Sequence, residues 1–278
     1  RTMMITILIY ACFTGLNGLV TEIHWYAVCR FLTALGVGGE FAAGASLVAE
    51  VWPNRSRPMA LGASQALSAI GNMGAAVITL ALSSMGWQVV YFVGASPALV
   101  VLWIRASVKE PERWKEAKAS STQEELGKIS DLLRVPELRR NTISGVLMAL
   151  AGVGGLWGVA FFLPDLVGST LKPIITKSNV ILALPESARD GAIKKTLTEY
   201  RSIVFFVQNI GAFVGMFAYA ALSEWKGRRP ALVLFFVLAY LSVQATFWGI
   251  HDLNSAILLA LLLGFCALAP FSAYAVYF

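Results

Sequence analysis

The 22 Lys or Arg and 16 Asp or Glu residues of this 278-residue chain are almost wholly excluded from eight apolar segments. The segments are 3–20, 26–49, 60–83, 87–104, 142–163, 202–222, 230–249 and 254–278, and only Arg30 and Glu40 place a charge inside them. A run of about twenty apolar residues is the length of a helix that crosses ~30 Å of hydrocarbon. Lipid offers backbone N–H and C=O groups no partner, so each span must satisfy its own as a helix. The expected fold is therefore all-α, a polytopic membrane bundle with eight spans. Composition agrees: 57% of residues are apolar and 14% charged, against roughly 45–50% and 25% in a soluble domain.

Basic residues orient the bundle by the positive-inside rule. One side carries Arg1, Arg55, Arg57, nine Lys or Arg between Arg105 and Arg140, and Lys226, Arg228 and Arg229. The opposite connections carry six, all in the long 165–201 segment, and the tight loops 21–25 and 250–253 carry none. Residue 1, the 105–141 connection and the turn at 226–229 are expected in the cytoplasm, with the protein in the plasma (inner) membrane. The net charge of +6 then reads as topology. A nucleic-acid binder clusters its cations on a folded polar domain, so no nucleic-acid partner is expected.

The connection 105–141 reads as a cytoplasmic linker between two four-span parts, 1–104 and 142–278. Within it Ile129, Leu132 and Leu133 recur at helical spacing amid charges, which predicts a short surface helix. The segment 165–201 reads as an external loop, holding either a short amphipathic helix in "PESARDGAIKKTLTEY" or a solvated strand of chain. Cys12, Cys29 and Cys266 have no metal-like spacing and read as small packing residues. His24 and His251 lie in separate external loops without a second ligand at useful spacing. "GASQA" at 62–66 lacks the last Gly of a nucleophile elbow, and "GVGGLWG" at 152–158 places Trp157 where a dinucleotide fingerprint needs Gly. No metal or cofactor is expected, and an enzyme ranks last among the function classes.

Arg30 and Glu40 lie ten residues apart, about 15 Å along a helix, so they cannot neutralise each other. A charge at mid-bilayer costs at least ~2.5–3.5 kcal/mol. Each needs a partner on another helix or a wet cavity. Arg30 has the alternative of snorkelling to the interface beside Trp25 and Tyr26; Glu40, ten residues deeper, does not. Small residues at Ala34, Gly38, Ala42 and Ser46 clear one face for a neighbouring helix, while Gly36 and Gly44 flank Glu40 on another.

Three stretches, in chain order, carry a resemblance. "RFLTALGVGGEFAAGASLVAEVWPNRSR", from Arg30 to Arg57, resembles the fourth helix and following loop of the major facilitator superfamily, notably its sugar-porter and metabolite–proton symporter branches. "VKEPERW", from Val108 to Trp114, is similar to the Pro-Glu-Ser-Pro-Arg-Trp motif after the sixth helix. "SEWKGRRPAL", from Ser223 to Leu232, resembles the signature turn between the second and third helices of each half. It departs from that pattern at Glu224, where Asp is usual, and at Trp225, where a basic residue is usual.

The resemblance implies helices three to ten of a twelve-helix carrier, built from two pseudo-symmetric halves that rock around a midplane site. It places Arg30 where the family's fourth-helix Arg is associated with proton coupling, with Glu40 as the second candidate. It places Glu50, Arg57, Glu224, Arg228 and Arg229 in the cytoplasmic charge network that closes the outward-facing state. Polar residues within spans are the candidates for substrate contact, because burying an amide without a partner is costly: Gln65, Asn72, Trp157, Gln208, Asn209, Gln244 and Trp248. An interhelical hydrogen bond accounts for any one of them equally well. Asn72 follows Gly71 much as a sugar-binding amide follows a Gly in sugar porters. "GLWGVAFFLPDL" lacks the paired glutamines of sugar porters and resembles organic-acid symporters; "IGNMGAAV" lacks the Pro of drug antiporters. The resemblance therefore implies a monomeric symporter of an organic acid or a sugar, with a small-molecule substrate, protons and the lipid bilayer as its partners. The alternative is a non-transporting receptor on a carrier fold, which need not keep Arg30 and Glu40.

Overall fold

The computed structural model describes residues 2–53, 57–101, 103, 129–152, 154–155 and 158–272. Every regular element among them is helical. In chain order these are α1 (Thr2–Asn17), α2 (Ile23–Val51), α3 (Arg57–Ala81) and α4 (Trp87–Gly94), followed by a 3-10 turn at Ser96–Leu99. Next come α5 (Ile129–Arg134), α6 (Pro136–Gly152), α7 (Gly158–Phe161), α8 (Leu163–Thr176) and α9 (Asn179–Leu182). The 41-residue α10 (Glu186–Lys226), α11 (Arg228–Gly249) and α12 (Leu253–Leu263) complete the chain, α12 running on into a π-type turn at Gly264–Leu268. Among the described residues five stretches are long and apolar enough to cross a membrane: Ile23–Val51, Met59–Ala81, Gly158–Thr176, Glu186–Lys226 and Arg228–Gly249. Thr2–Asn17 and Leu253–Leu268 are shorter apolar helices.

One sequence expectation is corrected. The segment 165–201 is not an open external loop: α8 continues to Thr176, α9 follows, and α10 begins at Glu186. Hydropathy marks where the apolar surface stops, not where the backbone stops being helical. Most charged residues from Glu186 to Arg201 are Glu, Lys or Arg, which are good helix formers, so the helix continues through them. At 1.5 Å per residue α10 is about 60 Å long, roughly twice the hydrocarbon thickness. Pro164 stands in the first turn of α8. Pro is accommodated best in a first turn. α5 forms where the surface helix is predicted; the rest of the linker up to residue 128, with the motif at 108–114, lies outside the described residues.

The chain divides into two compact units, 1–57 with 84–146 and 58–83 with 147–278. In the first, α1 and α2 pack as an antiparallel pair along Cys29, Thr33 and Gly36, an i, i+4, i+7 seam. The pro-chiral position of Gly36 points at the backbone of Tyr10, where a Cβ would lie 2.6 Å from its nitrogen, and Gly39 packs on the Thr6 methyl. The predicted small-residue row is not this seam: Gly38 has nothing within 4 Å. A four-residue step overshoots one helical turn by ~40°, so that row winds away from α1.

In the second unit α3, third in chain order, packs Ala66 and Ala69 into a cluster with Leu163, Val167, Val204, Ala256, Ala260 and Leu263. α10 crosses α12 and its π-type turn almost backbone to backbone. A Cβ at Gly211 would strike the Leu261 carbonyl, one at Gly215 that of Phe265, and one at Gly264 that of Gln208. Small residues permit such an approach in a bilayer, where dispersion contacts rather than water drive association. Gly227, which joins α10 to α11, has φ +92°. That region is costly for a residue with a Cβ, which accounts for Gly in the "KGRR" turn.

Candidate functional site

Arg30 lies on α2 two turns in from Ile23, on an exposed stretch of helix. Its Nε–H donates to the Tyr26 hydroxyl (3.0 Å) and an Nη2–H to the Tyr91 hydroxyl (2.7 Å). The two hydroxyls bond each other at 2.8 Å. The guanidinium carbon also lies 5.4 and 5.3 Å from the two ring centroids, within reach of cation–π attraction. Tyr26 is one turn back on α2 and so comes with Arg30 at no topological cost. Tyr91 comes from α4. It is supported by an edge-on Trp87 at 5.7 Å and by Gly18, where a Cβ would meet the Tyr91 Cβ at 3.2 Å. Glu40 is half-buried further along α2.

A second polar group forms inside the other unit. Asn72 Nδ2 donates to Asn209 Oδ1 (3.0 Å), and Asn209 Nδ2 donates to the Phe205 carbonyl (2.8 Å) of its own helix. Gln208, only 1% exposed, donates from Nε2 to the Ala160 carbonyl at 2.9 Å. A carbonyl only accepts, so the amide orientation is fixed, and the buried Oε1 has no partner among the described residues. Ala160 sits in α7.

Asn72, Gln208 and Asn209 are thus brought together. Gln65 is half-buried one position off the packed row of α3, Ala66, Ala69, Asn72 and Ala76. Gln244 and Trp248 (80% exposed) lie on the face of α11 opposite its buried Phe235, Ala239, Ser242 and Thr246, away from the amide group. Trp157 lies outside the described residues. Glu50 is exposed in the last turn of α2, Arg57 opens α3, Glu224 is exposed near the end of α10, and Arg228 and Arg229 open α11.

Tyr91 is the partner of Arg30 that sequence reasoning misses. It lies 61 residues from Arg30, and an aromatic in an apolar span carries no signal of its own. Tyr26 is visible at i−4 once Arg30 is singled out.

An all-helical chain of long apolar helices, with a caged intramembrane arginine, is matched over residues 1–278 by the model of the Major Facilitator Superfamily. The chain belongs to that family. It is 29% identical over 252 residues to a putative metabolite transport protein of Haemophilus influenzae, covering 87% of this chain and 56% of that one. A probable 4-methylmuconolactone transporter of Cupriavidus pinatubonensis is 28% identical over 280 residues, 98% of this chain and 59% of the relative. The sialic acid transporter NanX of Escherichia coli is 34% identical over 164 residues, 59% and 39% of the respective chains. The chain therefore spans little more than half the length of the first two relatives.

Proposed function

We propose that the protein is a secondary active transporter that moves a small carboxylate-bearing metabolite across the plasma (inner) membrane by alternating access, coupled to protons. The observation that carries this reading is Arg30, a permanent cation within an apolar helix, caged by two tyrosine hydroxyls and two aromatic faces. An intramembrane charge is retained against a cost of several kcal/mol when it serves an ion or solute pathway. Relatives named for sialic acid and 4-methylmuconolactone transport support an organic acid or an acidic sugar as cargo. Arg30 and Glu40 serve the coupling step. Asn72, Gln208 and Asn209 supply polar contacts near the midplane. Glu50, Arg57, Glu224, Arg228 and Arg229 act at the cytoplasmic ends of α2, α3, α10 and α11, as the excess of basic residues on that side supports. The working unit is a monomer.

The test is flux in proteoliposomes made from the full-length protein, with an imposed proton gradient and a panel of organic acids and acidic sugars. Arg30→Ala is expected to abolish uphill accumulation while substrate exchange persists. Equal loss of both would remove Arg30 from coupling. No uphill accumulation of any solute by the wild type would sink the transport reading and favour a sensor.

A further inference from the structure

The segment 165–201, which the sequence suggests is a loop, is a helical arm with packing of its own. α8 lies along the Glu186–Arg201 part of α10. Leu163, Val167, Leu171 and Ile175 of α8 form an i, i+4 ridge and share one cluster with Ile193, Leu197, Tyr200 and Val204 of α10. Pro173 interrupts the hydrogen-bond ladder of α8, yet Leu171 and Ile175 on either side of it are both buried. α10 itself runs from Glu186 to Lys226 without a proline or a break.

Two further contacts fix the arm. The Arg201 guanidinium occupies the place that a Cβ on Gly168 would take, and its Nη2 pairs with the Asp165 carboxylate at 3.5 Å. At the tip Arg189 donates from Nε and Nη2 to the Leu184 and Leu182 carbonyls, at 3.0 and 2.9 Å. These bonds tie the turn after α9 to the first turns of α10. Bending α8 away from α10 would forfeit the dispersion contacts of the whole ridge.

We propose that α8, α9 and the Glu186–Arg201 part of α10 form one rigid arm, pinned by Arg201 over Gly168, so that α8 moves only with α10 and does not bend as a separate gate. This rests on the transport reading, in which helices shift between two states. An exposed ion pair alone holds little, and Arg201 and Asp165 are 44% and 67% exposed. The pin is therefore the fit of the guanidinium over a residue without a side chain, backed by the apolar ridge.

The arm is tested in the full-length protein carrying Cys12→Ser, because Cys29 and Cys266 are buried. Asp165→Cys and Arg201→Cys are joined by a reducible thiol cross-linker. Uphill uptake of sialic acid and of 4-methylmuconolactone into proteoliposomes is measured before joining, after joining and after reduction. Joining is expected to change uptake by no more than about twofold. A loss of about tenfold that reduction reverses means that α8 must move against α10, and it overturns the proposal; so does failure of the two thiols to join. Spin labels on Lys172→Cys and Lys194→Cys, both exposed positions, report the α8–α10 distance independently of transport. One narrow distance is expected in acidic and alkaline buffer, with and without each solute. A second population displaced by about 5 Å overturns the arm. Gly168→Ala puts a Cβ where the guanidinium lies and is expected to broaden that distance; an unchanged width removes Arg201 as the pin and overturns the proposal. A wild type that accumulates neither solute while keeping the single distance counts against the transport reading and leaves the arm standing.

Discussion

Adding one methyl group at Gly211 tests whether α10 and α12 are held together by backbone proximity. The Cβ of Gly211→Ala would meet the Leu261 carbonyl oxygen and, at 2.9 Å, the Phe265 nitrogen. These are backbone atoms of a packed helix, so no flexible side chain can yield. An ordinary carbon–oxygen contact needs about 3.4 Å, so the helices must part by on the order of 1 Å. A gap of that size forfeits a quarter to a half of each dispersion well along the seam, which includes Ala212, Ala256, Ala260 and Leu263. Overpacking of this kind costs roughly 1–3 kcal/mol. For a chain of this length that lowers the thermal midpoint by ~2–4 °C per kcal/mol. Gly215→Ala meets the Phe265 carbonyl on the same face, and helices already parted by the first methyl accommodate the second. The double variant should therefore lose less than the sum of the singles. Gly71→Ala is the control, since nothing lies within 4 Å of its added carbon. Thermal unfolding of the purified protein in detergent measures all four. If Gly211→Ala and Gly71→Ala melt together, the close crossing is not what stabilises this pair.

Other outcomes follow from individual contacts. Asn72→Leu removes the donor to Asn209 Oδ1, and a double-mutant cycle with Asn209→Leu should give a coupling of about 0.6–1.7 kcal/mol; zero coupling would show that the pair is incidental. Asp252 caps α12 by accepting from the Ser255 backbone N–H at 2.8 Å, with the Ser255 hydroxyl returning to the Asp252 backbone. The Ser255 hydrogen bonds hold the Asp252 carboxyl below its usual value. Its folded pKa is depressed, so its contribution is present above the unfolded pKa of ~3.9 and is lost as pH falls through the folded value. The difference in melting midpoint between wild type and Asp252→Asn should narrow on acidification through that window, and a difference independent of pH would refute the assignment.

Much of the fold is legible because charge segregation is a one-dimensional property. Each expected apolar segment carries helix in its described residues, since in lipid a backbone can satisfy itself no other way. Helix ends are less legible. At 165–201 the polar sequence keeps its helical propensity after the apolar run ends. The candidate site divides in the same way. Arg30 stands out by its charge alone and Tyr26 by its spacing, but Tyr91 is reached only when the turn at Gly18 lets α4 close on α1 and α2. Asn72 and Asn209 stand out as polar residues in apolar spans, as do Gln244 and Trp248. Only the first pair meets, because α11 turns its other face to the core.

The sequence by itself determined the class of this protein: a helical membrane bundle that keeps two charges where lipid penalises them. Those facts depend on each residue's own transfer cost and on hydrogen bonds within four residues. The tertiary structure decided which polar groups meet. That depends on which glycine seam, Gly36 against Tyr10 or Gly211 against Leu261, brings two backbones into contact. Periodicity alone favoured a different row, and a shift of one residue on a helix turns a side chain by ~100°.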